Sequence, residues 1–322
     1  TQLLERLASR YTQFDPVAAG HRVVHGGREF ARPTVIDAAV RQKLESLVPL
    51  APLHQPHNLA AVDAIAEVVP DLPQVACFDT SFHRTQSRLA QLFALPRELS
   101  EDGLIRYGFH GLSYEYIANI LPDHMGSRAD GRVIVAHLGN GASMCAMKER
   151  RSVATSMGFT ALHGLMMGRR CGSLDAGVVL HLLQNRGMTI DEMHHMLYRE
   201  SGLLGVSGIS NNMQVLQESA DPNAREAVDL FCYRAACELG SLVTSLGGLD
   251  TIVFTAGIGE NSAKVRKAIC CHLSWLGVEL DPVANDGNAT VIGNATSKVE
   301  VLVVPTNEEA IIAEDTRALI DT

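Results

Sequence analysis

No uninterrupted apolar run in this 322-residue sequence approaches the about 18 residues that a membrane-spanning helix needs. A basic n-region followed by an apolar h-region is missing too, so no secretory signal is visible. Positive charge is scarce. Lysine and arginine number 27 against 36 aspartates and glutamates, a net charge of -9, which argues against a broad nucleic-acid surface. There is no C-x-x-C pair. The seven cysteines are odd in number, and Cys270 and Cys271 are adjacent, which argues against a disulfide framework and a zinc site. They read as reduced, mostly buried thiols of a cytoplasmic protein. Linkers, low-complexity tracts and repeats are also lacking. What is present is 46% hydrophobic and 20% charged, in a chain long enough for two domains and a sizeable core.

The most informative stretch runs from Gly131 to Asp175. Two apolar runs, Val133 to Ala136 and Met144 to Met147, flank Gly139-Asn140-Gly141. Asn-Gly between such runs predicts a hairpin whose tip residues take positive φ. A glycine tip also lets backbone N–H groups approach a phosphate. Further on, Arg169 and Arg170 lie between Gly168 and Gly172, so at least one guanidinium is expected on a loop.

Strands alternate with helices along the whole chain, which predicts an α/β class. Residues 1–13 read as the end of an amphipathic helix. Ala18 to Val24 reads as a strand, with Arg22 inside it as a buried charge that demands a partner. Ile36, Val40, Leu44 and Leu47 have helical spacing. Leu50 to Asn58 reads as a loop, with Asn58 capping the next helix. Val75 to Phe78 is a short strand leading into Asp79, a carboxylate placed either for chemistry or to cap the following turn. Glycines around Phe109-His110 predict an exposed imidazole on a constrained turn. Ser113 is expected to cap a helix ending before Pro122. Helices are predicted over Asp175 to Leu183 and Ile190 to Leu197, and a small-residue loop over Ser201 to Met213. Val228, Phe231, Ala235, Leu239, Leu242 and Leu246 mark a core helix stopped by Gly247-Gly248. Thr251 to Thr255, then Ala256-Gly257-Ile258-Gly259-Glu260-Asn261, reads as strand, glycine-rich turn and helix N-terminus, a phosphate-binding arrangement. Val301 to Val304 is a strand. Thr306 and Glu309 have capping-box spacing, which leaves Glu308 as a first-turn residue or a metal ligand.

Taken in order, the runs HRVVHGG (His21 to Gly27), LAPLH (Leu50 to His54), FDTSFH (Phe78 to His83), YGFHG (Tyr107 to Gly111), HLGNGAS (His137 to Ser143), TSMGFT (Thr155 to Thr160), ESGLLGVSGIS (Glu200 to Ser210), FTAGIGENS (Phe254 to Ser262) and PTNEE (Pro305 to Glu309) closely resemble the acetate kinase family. That family lies within the acetate and sugar kinase, Hsp70 and actin superfamily. The resemblance implies an α/β, two-domain actin-like ATPase fold with a cleft between domains. The first domain would hold residues 1–80 and 308–322, and the nucleotide-binding domain residues 81–307. It implies reversible in-line phosphoryl transfer from ATP to acetate, giving ADP and acetyl phosphate, with Mg²⁺. Both reacting groups are anionic, so catalysis is positioning plus positive charge.

By the same resemblance, Arg22 and Arg170 would clamp carboxylate and phosphoryl oxygens, His110 would donate to the phosphoryl, and Asp79 would orient the cluster. Val24, Leu53, Phe109 and Ala161 would line a pocket for the methyl group. His137, Asn140 and Gly141 would contact phosphate. Asn212, Met213, Gln214, Gly257, Ile258, Gly259, Glu260 and Asn261 would hold the nucleotide, and Glu308 would bind Mg²⁺ through water. A homodimer is expected, with no nucleic-acid or membrane partner.

The sequence departs from the family pattern at several points. The opening Asn-x-Gly-Ser-Ser-Ser-x-Lys strand is not found, so about 70 leading residues are expected to be missing, leaving a sheet edge unpaired. Tyr114 stands for a histidine, Leu112 and Arg169 for threonines, and Ala161 for a proline. Asn212-Met213-Gln214 stands where the family has Asp-x-Arg. The extra volume at Ala161 raises propionate as an alternative acceptor, since one methylene is worth only about 1–3 kcal/mol. The missing strand raises an inactive nucleotide-binding member. A sugar kinase is disfavoured by HRVVHGG and YGFHG.

Overall fold

The computed structural model describes residues 15–52 and 54–321. The helix expected over residues 1–13, and Leu53 of the expected methyl pocket, lie outside the described residues. Two compact units are formed. One comprises the described residues through Arg84, Phe109–Tyr116 and the segment from Asn307 on. The other comprises Thr85–Gly108 and Ile117–Thr306.

In the first unit, strand β1 (Ala19–Val23) runs parallel to β3 (Gln74–Phe78), and β2 (Thr34–Val35) pairs antiparallel on the far side of β3. Every residue of β3 is buried, because both faces of the strand are covered. Alternate residues face opposite ways. Ala76 and Phe78 join Val23, Phe30, Leu44 and Leu59 in one cluster. Val75 and Cys77 join Leu112 and Ile311 in another. The first cover is supplied by helices Ala38–Ser46 and Gln55–Val68, the second by Gly111–Met125 and Glu308–Ile320.

Four boundaries here differ from expectation. The helix after the Pro-containing segment begins at Gln55, because Pro56 suits the first turn. Asn58 is therefore already inside that helix, and its Oδ1 accepts from Val24 N at 3.1 Å. Ser113 is not a cap, since the helix starts at Gly111. Pro122 lies inside it, and the helix continues to Met125. Leu121 and Met125 are buried at 0% and 5% exposure, and that packing outweighs one missing hydrogen bond near a helix end. Asn307, not Thr306, caps Glu308–Ile320, accepting from Ala310 N at 3.0 Å.

The second unit is built on a sheet of order β6-β5-β4-β7-β8: Arg151–Thr155, Ala142–Lys148, Arg132–Leu138, Thr251–Thr255 and Glu300–Val303. Strand β4 is antiparallel to β5 and parallel to β7. The long helix Pro222–Leu246 buries Ala227, Phe231, Ala235, Leu239 and Leu242 and ends at Gly247, where φ is 68°. The hairpin β4–β5 forms, but not through a left-handed Asn-Gly pair. Pairing closes at Leu138↔Ala142 across three residues, none of them at positive φ, with Gly139 N donating to Gly141 O. The left-handed pair sits instead at Glu149 (φ 52°) and Arg150 (φ 57°), joining β5 to β6. This turn holds a conformation that costs about 1–2 kcal/mol per residue. Asp130 secures it by accepting from Glu149 N at 3.0 Å and, through its carboxylate, from Arg150 Nε at 2.8 Å.

Candidate functional site

In the first unit Arg22 leaves β1 and meets Asp79, the residue that follows β3. The register Arg22↔Cys77 and Val23↔Phe78 brings the two strand ends together. Nε donates to Oδ1 at 3.0 Å and Nη2 to Oδ2 at 2.6 Å, a bidentate fork. The expected buried charge is the carboxylate rather than the guanidinium. Asp79's side chain is 2% exposed, whereas Arg22's is 43% exposed. Asp79 raises the Arg22 guanidinium beyond its usual range, so this cation does not titrate. Glu308 Oε2 stands 3.9 Å from Arg22 Nε. Burial lifts the Glu308 carboxyl above its usual value, Arg22 opposes that lift, and Asp79 adds to it.

His110 stands against the same strand end. Its φ is 59°, and the next residue, Gly111, donates its N–H to Asp79 O at 2.8 Å. A Cβ at Gly111 would press into that carbonyl, which is why the turn carries glycine there. His110 is only 9% exposed, not the exposed imidazole expected. Phe109 is buried, with the His25 ring edge-on at 5.7 Å and His83 Nε2 3.0 Å from its carbonyl. Val24 is buried as well.

In the second unit a cavity of about 480 Å³ is lined by Asn140, Asn212, Met213, Gln214, Gly257, Ile258 and Asn261 among the expected nucleotide residues. Asn211, Gln217 and Ser262 also line it, and sequence reading missed them although they adjoin the SGIS and GIGEN runs. His137, Gly141, Gly259 and Glu260 do not line it. The hairpin tip is pinned there. Asn140 O accepts from Gly168 N at 3.0 Å, and its side chain from Asn211 Nδ2 at 3.0 Å.

The glycine-rich turn is itself a short helix, Ala256–Asn261, made possible by Ala256 at φ 65° directly after β7. One of its opening N–H groups, that of Ala256, is already taken. Glu260 Oε1 already accepts from Ala256 N at 2.7 Å and from Thr306 N at 3.1 Å, and a carboxylate there repels an anion. Arg170 lies on the loop held by helix Gly202–Ser207, which replaces the loop expected there. Leu203 N donates to Met167 O at 2.8 Å, and Gly202 takes φ 64° where any side chain would strike Met167 O. Arg170 Nη1 donates to Ala161 O at 2.6 Å. Burial lowers the Arg170 guanidinium, with Tyr198 opposing.

The profile of the Acetokinase family matches residues 2–314. An acetate kinase of Rhodopseudomonas palustris is 57% identical over 307 residues, covering 94% of this chain and 77% of that protein. A propionate kinase from Francisella tularensis superposes with a TM-score of 0.94 at 37% identity, covering 98% of this chain and 83% of that one. An acetate kinase of Porphyromonas gingivalis gives 0.92 at 36% identity, covering 99% and 84%.

Proposed function

The chain belongs to the acetokinase family, phosphotransferases with a carboxyl group as acceptor, and from that premise we propose that it transfers the γ-phosphoryl of ATP to acetate. Its fold is the two-domain actin-like α/β fold of the acetate and propionate kinases. The observation that carries the site assignment is the Arg22–Asp79 fork. A buried carboxylate holds two of the guanidinium's five donors, and on a side chain that is 43% exposed the other three serve an incoming carboxylate or phosphoryl oxygen. In-line transfer passes through a loose, highly charged phosphoryl group, so a fixed cation lowers the barrier without chemistry of its own. His110, on the same unit as Arg22, donates to the phosphoryl. Val24 and Phe109, both buried in the first unit, contact the methyl group. The cavity lined by Asn140, Gln214 and Ile258 takes the nucleotide.

The residues fit a magnesium ion. Asp79 and Glu308 share one guanidinium, which leaves one negative charge on hard oxygen donors. Mg²⁺ is held by one or two carboxylates together with waters and substrate phosphates. Glu308 would hold it, and bound Mg²⁺ would neutralise the phosphate oxygens. The high identity to an acetate kinase supports acetate over propionate as the acceptor.

A homodimer completes the reading. Helix Ala176–Asn185 (AGVVLHLLQN) buries none of its residues, and Leu174, Val178 and Leu180 are 44%, 40% and 54% exposed. An apolar face of this kind is covered by a partner, here a second copy of the chain.

The test is direct. Incubation with ATP, Mg²⁺, hydroxylamine and either acetate, propionate or glucose should give acyl hydroxamate from acetate first and propionate second. Glucose should yield no glucose 6-phosphate. Failure with acetate, or phosphorylation of glucose, refutes the proposal.

A further inference from the structure

Arg266 is the largest fully buried side chain among the described residues, at 0% exposure. A cation inside a protein is costly unless its donors are satisfied. Here every guanidinium N–H has a neutral acceptor. Nε donates to Asn285 Oδ1 at 2.8 Å. Nη1 donates to the carbonyls of Gly259 and Glu260, both at 2.9 Å. Nη2 donates to Asn285 O at 2.7 Å and Asn288 Oδ1 at 2.6 Å. The two carbonyls on Nη1 belong to the last turn of helix Ala256–Asn261, where carbonyls lack intrahelical donors and the helix dipole is negative. At the other end of that helix, Glu260 Oε1 takes the Ala256 and Thr306 N–H groups. One short helix is thus clamped at both ends by charged side chains, neither of which lines the cavity. Between the clamps, its residues Gly257, Ile258 and Asn261 form one cavity wall.

We propose that Arg266 is a positioning residue for nucleotide binding. It sets the placement of the Gly257–Asn261 wall without touching the ligand, and this rests on the reading of that cavity as the nucleotide site. A buried cation is a poor device for stability alone, since apolar residues of similar volume often replace such groups without loss. Its fork does what apolar packing cannot, fixing two carbonyl directions on the helix and two points on the Asn285–Asn288 turn at once.

Arg266→Lys keeps the charge and loses the fork. Displacements near 1 Å at a binding wall cost on the order of 10- to 100-fold. Calorimetry with ADP, below the variant's melting temperature, should therefore give a Kd raised at least about 10-fold, with the KM for acetate unchanged. A merely structural role would lower the melting temperature and leave the Kd of the folded fraction where it was. Ile258→Trp, which fills the cavity directly, runs in parallel. If it weakens ADP while Arg266→Lys does not, the positioning role is overturned. If Ile258→Trp leaves ADP binding intact, the cavity reading fails and the proposal falls with it. Should Arg266→Lys not fold, Asn288→Gly removes one acceptor at a residue with φ 50°, where glycine is relaxed. It is expected to raise the ADP Kd about 3-fold, scaled down from the loss of one charge-assisted bond, and an unchanged Kd overturns the proposal.

Discussion

Gly111→Ala tests how tightly the His110 turn is held against Asp79. An added Cβ would stand 3.0 Å from the Asp79 carbonyl carbon and 3.2 Å from Phe82 Cβ, and would be pressed into the Asp79 oxygen. Unstrained carbon contacts lie at about 3.5–4.0 Å, so the turn must retreat by roughly half to one ångström. The obstacle is backbone at the end of a fully buried strand, which cannot swing aside as a side chain can. The retreat stretches the 2.8 Å bond from Gly111 N to Asp79 O. Overpacking of this sort costs about 1–3 kcal/mol, and the weakened hydrogen bond adds about 1 kcal/mol. Urea unfolding of the variant should thus show a loss of about 2–4 kcal/mol. A shift of that size at an assigned phosphoryl donor should also lower kcat on the order of 100-fold, with ADP binding unaffected. An alanine variant with native stability and native kcat refutes the close approach, and with it the argument that glycine at 111 serves the site.

Two further predictions concern other parts of the molecule. Burial, reinforced by Asp315, pushes Glu115 from its ordinary 4.5 up to about 7. A raised carboxyl pKa means stability that is fully present below about 4.5 and lost as pH rises through 7. At about 1.36 kcal/mol per pH unit, Glu115→Gln should be more stable than the parent at pH 8 by at most about 3 kcal/mol, with the gap closing in acid. A pH-independent difference between the two would contradict the assignment. Leu180→Glu places a charge on the exposed apolar helix Ala176–Asn185 and should convert a dimer to a monomer in sedimentation velocity. A dimer that persists in the variant would show that this helix is not the interface.

Much of the architecture could be read from local pattern. The buried strands β3, β4 and β7 are built on the short apolar runs Val75 to Phe78, Val133 to Ala136 and Ile252 to Phe254, and the helix Pro222–Leu246 carries its own period and stop. The motif glycines likewise mark places where backbones touch, as Gly111 and Gly202 do. What failed did so where tertiary partners decide. Asn140-Gly141 has the composition of a left-handed turn, yet Gly168 and Asn211 fix the tip another way. Glu149-Arg150 lacks that composition, yet adopts the turn because Asp130 holds it. Pro122 does not end its helix, since the residues around it are buried. Arg266 was invisible as a functional candidate. Between Val265 and Ile269 it looks like any solvent-facing cation on an amphipathic helix, and only its acceptors, on segments 259–260 and 285–288, reveal otherwise. The part Glu260 plays in holding helix Ala256–Asn261 was not legible either, because one of the two N–H groups its carboxylate accepts belongs to distant Thr306.

The central claim is that the Arg22 guanidinium, held by buried Asp79, anchors the anionic acceptor while nucleotide is bound elsewhere on the chain. The decisive measurement pairs acetyl phosphate formation with ADP calorimetry in Arg22→Ala, on protein confirmed folded by circular dichroism. Loss of a charge-assisted anchor at a reacting anion should lower kcat/KM for acetate on the order of 100-fold or more, with the ADP Kd within about 2-fold of the parent, well under the tenfold that 1.4 kcal/mol represents. Acetate turnover close to the parent's, or a matching collapse of ADP affinity, would contradict it.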